Sequence, residues 1–291
     1  MVPRRVLVIG ATGAVGSAVA RTAHSHGAQV FLALRDISKV IPGLTATEEQ
    51  NSRYERVQAD LTQPESVRAV VSNTGATHAF IYAALGASPD HMLSSAEALK
   101  AAGIERVVLL SSITVHGDLR AIPPTDFIGY EHARVELSLE SVFGPQGFVA
   151  VRPSYFAKDG KVKWAFPDLK HDFISPDDIG AVSRVPVLLI GPETDLSVVG
   201  AIGIIGETIN KPVRVTKISP DENIQVMVEK AGVPEPVTKT LTESFAKTNE
   251  DQSPINTPLT SEARANIEKY LKRPPVRFLQ WVERNEDKCR G

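Results

Sequence analysis

Residues 6 to 16 read Val-Leu-Val-Ile-Gly-Ala-Thr-Gly-Ala-Val-Gly, and they constrain this chain more than any other stretch. Four apolar, mostly β-branched residues make a buried strand, and Gly10, Gly13 and Gly16 follow at a spacing of three. Ser17-Ala-Val-Ala-Arg-Thr-Ala continues as a helix that begins inside the glycine run. Glycine is needed there because the chain turns tightly and its backbone must approach a pyrophosphate with no side chain in the way. The helix start then offers unpaired amides and a partial positive charge to the phosphates. Gly10, Thr12, Gly13, Ala14, Val15 and Gly16 are therefore the expected pyrophosphate-binding residues of a dinucleotide site.

Strand and helix patterns alternate through the first half. Strands are predicted at Gln29–Leu34, Tyr54–Ala59, His78–Ala83, Arg106–Ser112 and Phe148–Pro153. Helices are predicted at Pro64–Val71, with a start signal in Thr62, at Ser88–Ala102, stopped by Gly103, and at Glu131–Phe143. Alternation of this kind implies a parallel sheet covered on both faces and wound right-handedly. Six strands suit an α/β fold of the Rossmann type, a doubly wound parallel sheet. The second half is less regular, with strands expected at Pro186–Ile190 and Lys211–Ile218 and helices from Pro220 onward. Gly200, Gly203 and Gly206 mimic the fingerprint spacing but follow no strand, and they read as close helix packing. Residues 1–156 are expected to form the nucleotide-binding core. Residues 157–291 are expected to form a small, mainly helical C-terminal substrate lobe, partly interleaved with the core sheet.

Composition narrows the functional classes. The 291 residues are 42% hydrophobic and 23% charged, ordinary for a globular protein. A formal net charge of −2 gives no electrostatic case for nucleic acid or an anionic membrane. The single cysteine, Cys289, cannot form an internal disulfide, which fits a reducing compartment. No apolar run reaches the ~18 residues that span a bilayer, and the N-terminus runs directly into the first strand without room for a signal peptide. A cytoplasmic protein acting on a small molecule is expected, with the oligomeric state left open. The seven histidines are scattered, and no Cys/His spacing suits zinc.

The strand ends carry the chemistry. Arg35 follows the second strand, where an acid would bind a ribose 2′-hydroxyl and an arginine suits a 2′-phosphate. Lys39 adds a second cation, so NADP(H) is expected, although the adjacent Asp36 would serve an NAD ribose. Asp60 and Leu61 close the third strand beside the expected adenine, one accepting from its amine and the other covering its ring. Ala83, Ala84 and Leu85 end the fourth strand with residues small enough for close cofactor approach. Ser111 and Ser112 close the fifth strand at the nicotinamide end. Tyr130 and Arg134, at i and i+4, share a helix face, the cation placed to hold a ribose and assist proton transfer by the phenol. An arginine is no neutral swap for lysine there, and His132 with Glu136 is a competing pair on the same helix. Pro153 turns the chain across the nicotinamide, and Tyr155 and Phe156 are expected to wall an apolar pocket. Asp172 to Gly180 reads as a helix start, with Ser175 as cap.

With these residues in hand, the chain resembles the atypical short-chain dehydrogenases of the NmrA-like group. It is most similar to fungal members such as the reductases that finish ergot-alkaloid rings. The motifs that carry the resemblance are Gly10-Ala-Thr-Gly13-Ala-Val-Gly16, the Arg35 ending, Leu110-Ser-Ser-Ile, His132-Ala-Arg-Val-Glu136, Val151-Arg-Pro-Ser-Tyr-Phe156, Phe173-Ile-Ser-Pro-Asp-Asp-Ile-Gly180 and Ile190-Gly-Pro-Glu. The resemblance implies NADP binding and a substrate pocket under the C-terminal lobe. It does not imply catalysis, because some members sense the NADP/NADPH ratio and others have been turned to non-redox isomerisation or cyclisation. Two connections, after Phe156 and before Pro186, are shorter than the family pattern. The sequence thus points to an NADPH-dependent reductase of a small, largely apolar metabolite, with Ser112, Tyr130, His132 and Arg134 as catalytic candidates. An isomerase or cyclase and a cofactor-sensing regulator are the alternatives.

Overall fold

A computed structural model describes residues 3–51, 54–112, 114–115, 117–153, 163–182, 187–193, 195–211, 213–231, 235–251 and 260–286. The first half follows the expected alternation: β1 Arg5–Ile9, α1 Ala14–Ser25, β2 Gln29–Leu34, α2 Ala46–Asn51, β3 Tyr54–Gln58, α3 Pro64–Thr74, β4 His78–Tyr82 and α4 Leu93–Ala101. It continues through β5 Arg106–Leu110, α5 Phe127–Phe143 and β6 Phe148–Pro153. The second half comprises β7 Lys163–Trp164, β8 Lys170–His171, α6 Pro176–Val182, β9 Val187–Leu189, β10 Leu196–Ser197 and α7 Val198–Thr208. It ends with β11 Thr216–Lys217, α8 Pro220–Ala231, α9 Glu235–Asp251, α10 Thr260–Leu271 and α11 Phe278–Arg284.

One seven-stranded sheet has the order β3-β2-β1-β4-β5-β6-β9. Strands β1 to β6 pair parallel throughout, so Ile9 lies beside Ala33 and Tyr82 beside Leu110. All their carboxyl ends therefore fall on one edge, with the order reversing at β1 and β4, where ligands bind in open α/β sheets. The inner strands β1, β2 and β4 are apolar on both faces because helices cover both, whereas edge strand β3 carries Glu55, Arg56 and Gln58. Leu7, Phe31, Ile81, Leu99, Leu109 and Leu139 are all no more than 1% exposed within one core cluster. Helix α6 packs on α1, where a Cβ on Gly180 would stand 2.9 Å from that of Ala18.

The chain divides into two compact units. The first comprises residues 1–124, 129–153 and 176–188; the second comprises 125–128, 154–175 and 189–291. Several boundaries differ from expectation. Helix α4 starts at Leu93 instead of Ser88, because His91 and Met92 adopt left-handed backbone with φ of 49° and 65°. Helix α5 starts four residues before Glu131. Among the described residues of 211–218, Thr216–Lys217 alone forms a strand. A Cβ on Gly203 would meet nothing within 4 Å, so that glycine is not there for close packing.

In the second unit an aromatic chain runs Trp164, Phe245, His171, Phe173, Phe278 and Trp281, with successive ring centroids 5.0–6.4 Å apart. His171, only 7% exposed, is edge-on to two of these rings. Burial disfavours its charged form and pushes its pKa down from 6.5 to about 4. Below pH 6.5 the unfolded chain takes up a proton that the folded chain refuses, so stability falls as pH drops toward about 4. The loss across that window is on the order of 3 kcal/mol. Denaturant melts of His171→Leu should lack that part of the acid slope; an unchanged slope would show that other groups produce it.

Candidate functional site

The site is built on the carboxyl edge of the sheet. Gly10 ends β1 with φ +85°, and a Cβ there would press within 2.9 Å of the Tyr82 ring. A Cβ on Gly16 would clash with the Gly10 carbonyl oxygen, so this glycine seats α1 against the end of β1. Gly13 is different. It is exposed, its backbone is extended (φ −80°, ψ 156°), and any residue could adopt that conformation. It caps α1 without a side-chain hydrogen bond, and the first turn holds no acid. Thr12 is exposed and Ala14 half-buried, whereas Val15 and Gly16 are buried. The result is an open, amide-bearing helix start suited to a pyrophosphate.

At the end of β2, Arg35 and Lys39 are exposed cations. Asp36, the residue that kept an NAD ribose in play, spends Oδ1 on the Ser38 hydroxyl at 2.6 Å and the Ser38 amide at 3.0 Å. Those hydrogen bonds hold its carboxyl below the usual range, and the Lys39 charge adds to the effect. Arg56, which sequence reasoning missed, shapes this loop. Its guanidinium donates to the carbonyls of Ile37 and Lys39 and forms a two-point pair with Glu49 on α2, at 2.6 and 2.7 Å. Gln58 donates to the Arg35 carbonyl at 3.1 Å.

Asp60 has a local role. Its Oδ1 accepts from the Thr62 amide at 2.9 Å and hydroxyl at 2.8 Å, which lowers its pKa, with the Arg35 charge contributing. The expected capping by Thr62 is thus reversed, and Gln63 precedes α3. Leu61 is 1% exposed inside the core, so its side chain is not open to cover an adenine. Ala83, Ala84 and Leu85 are half-buried after β4, with the Ala84 amide donating to Met92 Sδ at 3.3 Å.

At the ends of β5 and β6 the two serines separate. Ser111 is buried and donates its hydroxyl to Glu136 Oε1. Arg152 donates to both oxygens of the same carboxylate, its Nε at 2.9 Å. Glu136 is therefore turned to Ser111 and Arg152 inside the unit, which corrects the His132–Glu136 pairing and removes the Ser111 hydroxyl from the cofactor-binding set. Ser112 is half-buried and accepts from the Thr114 hydroxyl at 2.9 Å. Pro153 is buried at the end of β6, while Tyr155 and Phe156 lie outside the described residues.

On α5 the Tyr130–Arg134 pair forms, but with the Arg134 guanidinium 4.9 Å over the centre of the Tyr130 ring. His132 is half-buried one position past Glu131. Glu131 and His91 were not foreseen. Glu131 is 8% exposed, accepts from the Gly86 amide at 3.1 Å, and has Oε1 3.5 Å from His91 Nδ1. The His91 ring stands edge-on to Tyr130 at 5.8 Å. His91 sits in a polar turn with no periodic signal, so no spacing argument reaches it. Among the described residues no group of three or more His, Cys, Asp or Glu is placed to hold a metal. No helix among them is long and apolar enough to cross a membrane.

Residues 10–182 match the family described as NAD(P)H-binding. The chain belongs to this NmrA-like, NAD(P)H-binding family. It is 34% identical to the nitrogen metabolite regulation-like protein bik4 of Gibberella fujikuroi, over 96% of each chain. That alignment spans 320 positions, more than the 291 residues of this chain, so the relative carries residues without counterparts here. Among solved structures, NmrA, a negative transcriptional regulator in complex with NADP, aligns with a TM-score of 0.66 at 15% identity, covering 97% of this chain and 94% of that one. The NADPH-dependent quinone oxidoreductase QOR2 of Escherichia coli gives 0.64 at 16%, covering 96% and 99%. Leucoanthocyanidin reductase of Vitis vinifera gives 0.63 at 14%, covering 98% and 100%. These likenesses establish the fold, and membership of the NmrA-like family establishes NAD(P)H as the cofactor.

The second and third glycines of the fingerprint, Gly13 and Gly16, should respond oppositely to substitution. Gly13→Val should keep unfolding stability within ~1 kcal/mol while abolishing cofactor binding. Gly16→Ala should cost ~1–3 kcal/mol by overpacking against the Gly10 carbonyl. Urea melts with fluorescence titration of NADPH measure both, and normal binding by Gly13→Val would make the open helix start purely structural.

Proposed function

We propose that this protein is an NADPH-dependent reductase of a small, largely apolar metabolite. The bond reduced is C=N or C=C, and the setting is a fungal secondary-metabolite pathway. Bound NADPH supplies a hydride; the protein binds, orients and handles the proton. The amides of Thr12, Ala14, Val15 and Gly16 hold the pyrophosphate, the Gly13 amide being donated to the Gly10 carbonyl at 2.9 Å, and Arg35 with Lys39 receives the 2′-phosphate. Ser38 holds one oxygen of the Asp36 carboxylate, and Arg35 and Lys39 are the groups proposed to discriminate between cofactors.

One observation carries the catalytic reading. Tyr130, Glu131 and Arg134 stand with His91 at the strand-end edge that bears the fingerprint. A protein that only reads its cofactor needs no such cluster of proton-handling groups. A regulator is the second reading, supported by the relative bik4, a nitrogen metabolite regulation-like protein, and by the NmrA likeness.

Two measurements test this reading. Arg35→Ala should weaken NADPH binding by ~1.5–3 kcal/mol and leave NADH nearly unchanged, as calorimetry would show. Tighter NADH binding by the parent would overturn the NADP preference. With C4-deuterated NADPH and a panel of imines, enones and quinones, deuterium should enter the product with stoichiometric loss of NADPH. No turnover, combined with different affinities for NADPH and NADP⁺, would favour the regulator. Unlabelled product without net NADPH loss would favour an isomerase.

A further inference from the structure

The turn between β4 and α4 is tied down more than a connection requires. Asp90 accepts from the Ser88 hydroxyl at 2.7 Å, the Ser94 amide at 2.9 Å and the Ser94 hydroxyl. Ser88 Oγ in turn accepts from the Met92 amide at 2.9 Å, and Met92 is 2% exposed. Between these anchors His91 and Met92 hold left-handed backbone, with φ of 49° and 65°. Two consecutive non-glycine residues in that region persist only where surroundings impose it, and such strain gathers at functional sites.

The turn directs His91 at Glu131. Nδ1 lies 3.5 Å from Glu131 Oε1, within ion-pair reach, and the other carboxylate oxygen is fixed by the Gly86 amide at 3.1 Å. Nδ1 is fully buried and makes no hydrogen bond among the described residues, so the Glu131 carboxylate meets it only at ion-pair distance; the His91 side chain retains 29% exposure, so its accessible part is elsewhere on the side chain. Tyr130, capped on its face by Arg134, walls the imidazole edge-on. A buried carboxylate 3.5 Å from one imidazole nitrogen is close enough to become its hydrogen-bond acceptor after a small shift, leaving the second nitrogen to meet a reactant.

We propose that His91, positioned by Glu131, is the proton donor of the reduction. The proposal rests on the reductase reading above. The nicotinamide hydride adds to one end of a polarised C=C or C=N bond, and a proton from His91 Nε2 adds to the other. NADPH becomes NADP⁺, and the neutral imidazole regains its proton from solvent. The matching substrate class is an α,β-unsaturated carbonyl compound or an imine, which accepts one hydride and one proton. Tyr130 then serves as a wall of the site.

His91→Gly tests this cleanly, because glycine suits the left-handed backbone at that position and leaves an imidazole-sized gap. NADPH oxidation would be followed with a para-quinone, an α,β-unsaturated aldehyde and a cyclic imine. His91→Gly should lower turnover on the parent's best acceptor by roughly 10²–10⁴-fold, with NADPH affinity essentially retained. Added imidazole should restore much of the loss in His91→Gly and none in Glu131→Gln, whose own turnover should also fall. Parental turnover by His91→Gly, or a loss that imidazole does not repair, overturns the assignment alone. A parent that oxidises NADPH with none of the three acceptors overturns the reductase reading, and the assignment with it.

Discussion

The buried carboxylate of Glu136 anchors helix α5 to the ends of β5 and β6. It sits in the middle of α5 with 2% of its side chain exposed, and it is met by Arg152 from the end of β6 and Ser111 from the end of β5. A charge so buried is tolerated only when paired and hydrogen-bonded, and stranding one partner costs about 3–5 kcal/mol. The network has one good geometry, because it joins a helix to two adjacent parallel strands at once. It therefore sets both the rotation of α5 and its height above the sheet. Tyr130, Glu131 and Arg134, in the turns before Glu136, reach the strand-end edge as a consequence.

The cofactor half depends on shape more than on charge. Gly16 lets α1 settle on the Gly10 carbonyl, while Gly10 takes a left-handed bend under the Tyr82 ring. These two contacts bring the first turn of α1 over the end of β1. Gly13 completes the arrangement from the solvent side, where the backbone is extended and a Cβ would stand 3.3 Å from the Gly10 carbonyl oxygen, a tight contact that a small shift relieves.

The parts of this design legible in the sequence are those written in consecutive residues. The apolar runs at β1, β2, β4 and β5, and the glycine spacing between β1 and α1, follow from local sterics and burial. The parallel sheet follows from alternation. What periodicity does not reveal is a backbone that departs from it: the left-handed pair at His91 and Met92 delays α4 by a turn within a stretch of helical composition. Nor does it reveal pairing across distance. Gly86 and Glu131 are 45 positions apart and meet only after β4, β5 and α5 have assembled. Glu136 looked like the helical partner of His132 because i, i+4 spacing is visible in sequence; its true partners stand on two strands. Asp60 and Leu61 lie at the expected strand end, yet a local turn and the core, respectively, claim their side chains.

Arg56 makes the path of the loop after β2 independent of its exposed side chains. The guanidinium that holds the carbonyls of Ile37 and Lys39, and is anchored by Glu49, belongs to β3 and to the scaffold beneath. The path of the loop is thus written in residues distinct from those that project from it toward solvent. Arg35 and Lys39 can be exchanged for other residues without redrawing the backbone that displays them. Substitution at these two surface positions therefore changes the charge that the loop presents while its path, fixed from β3 and α2, stays the same.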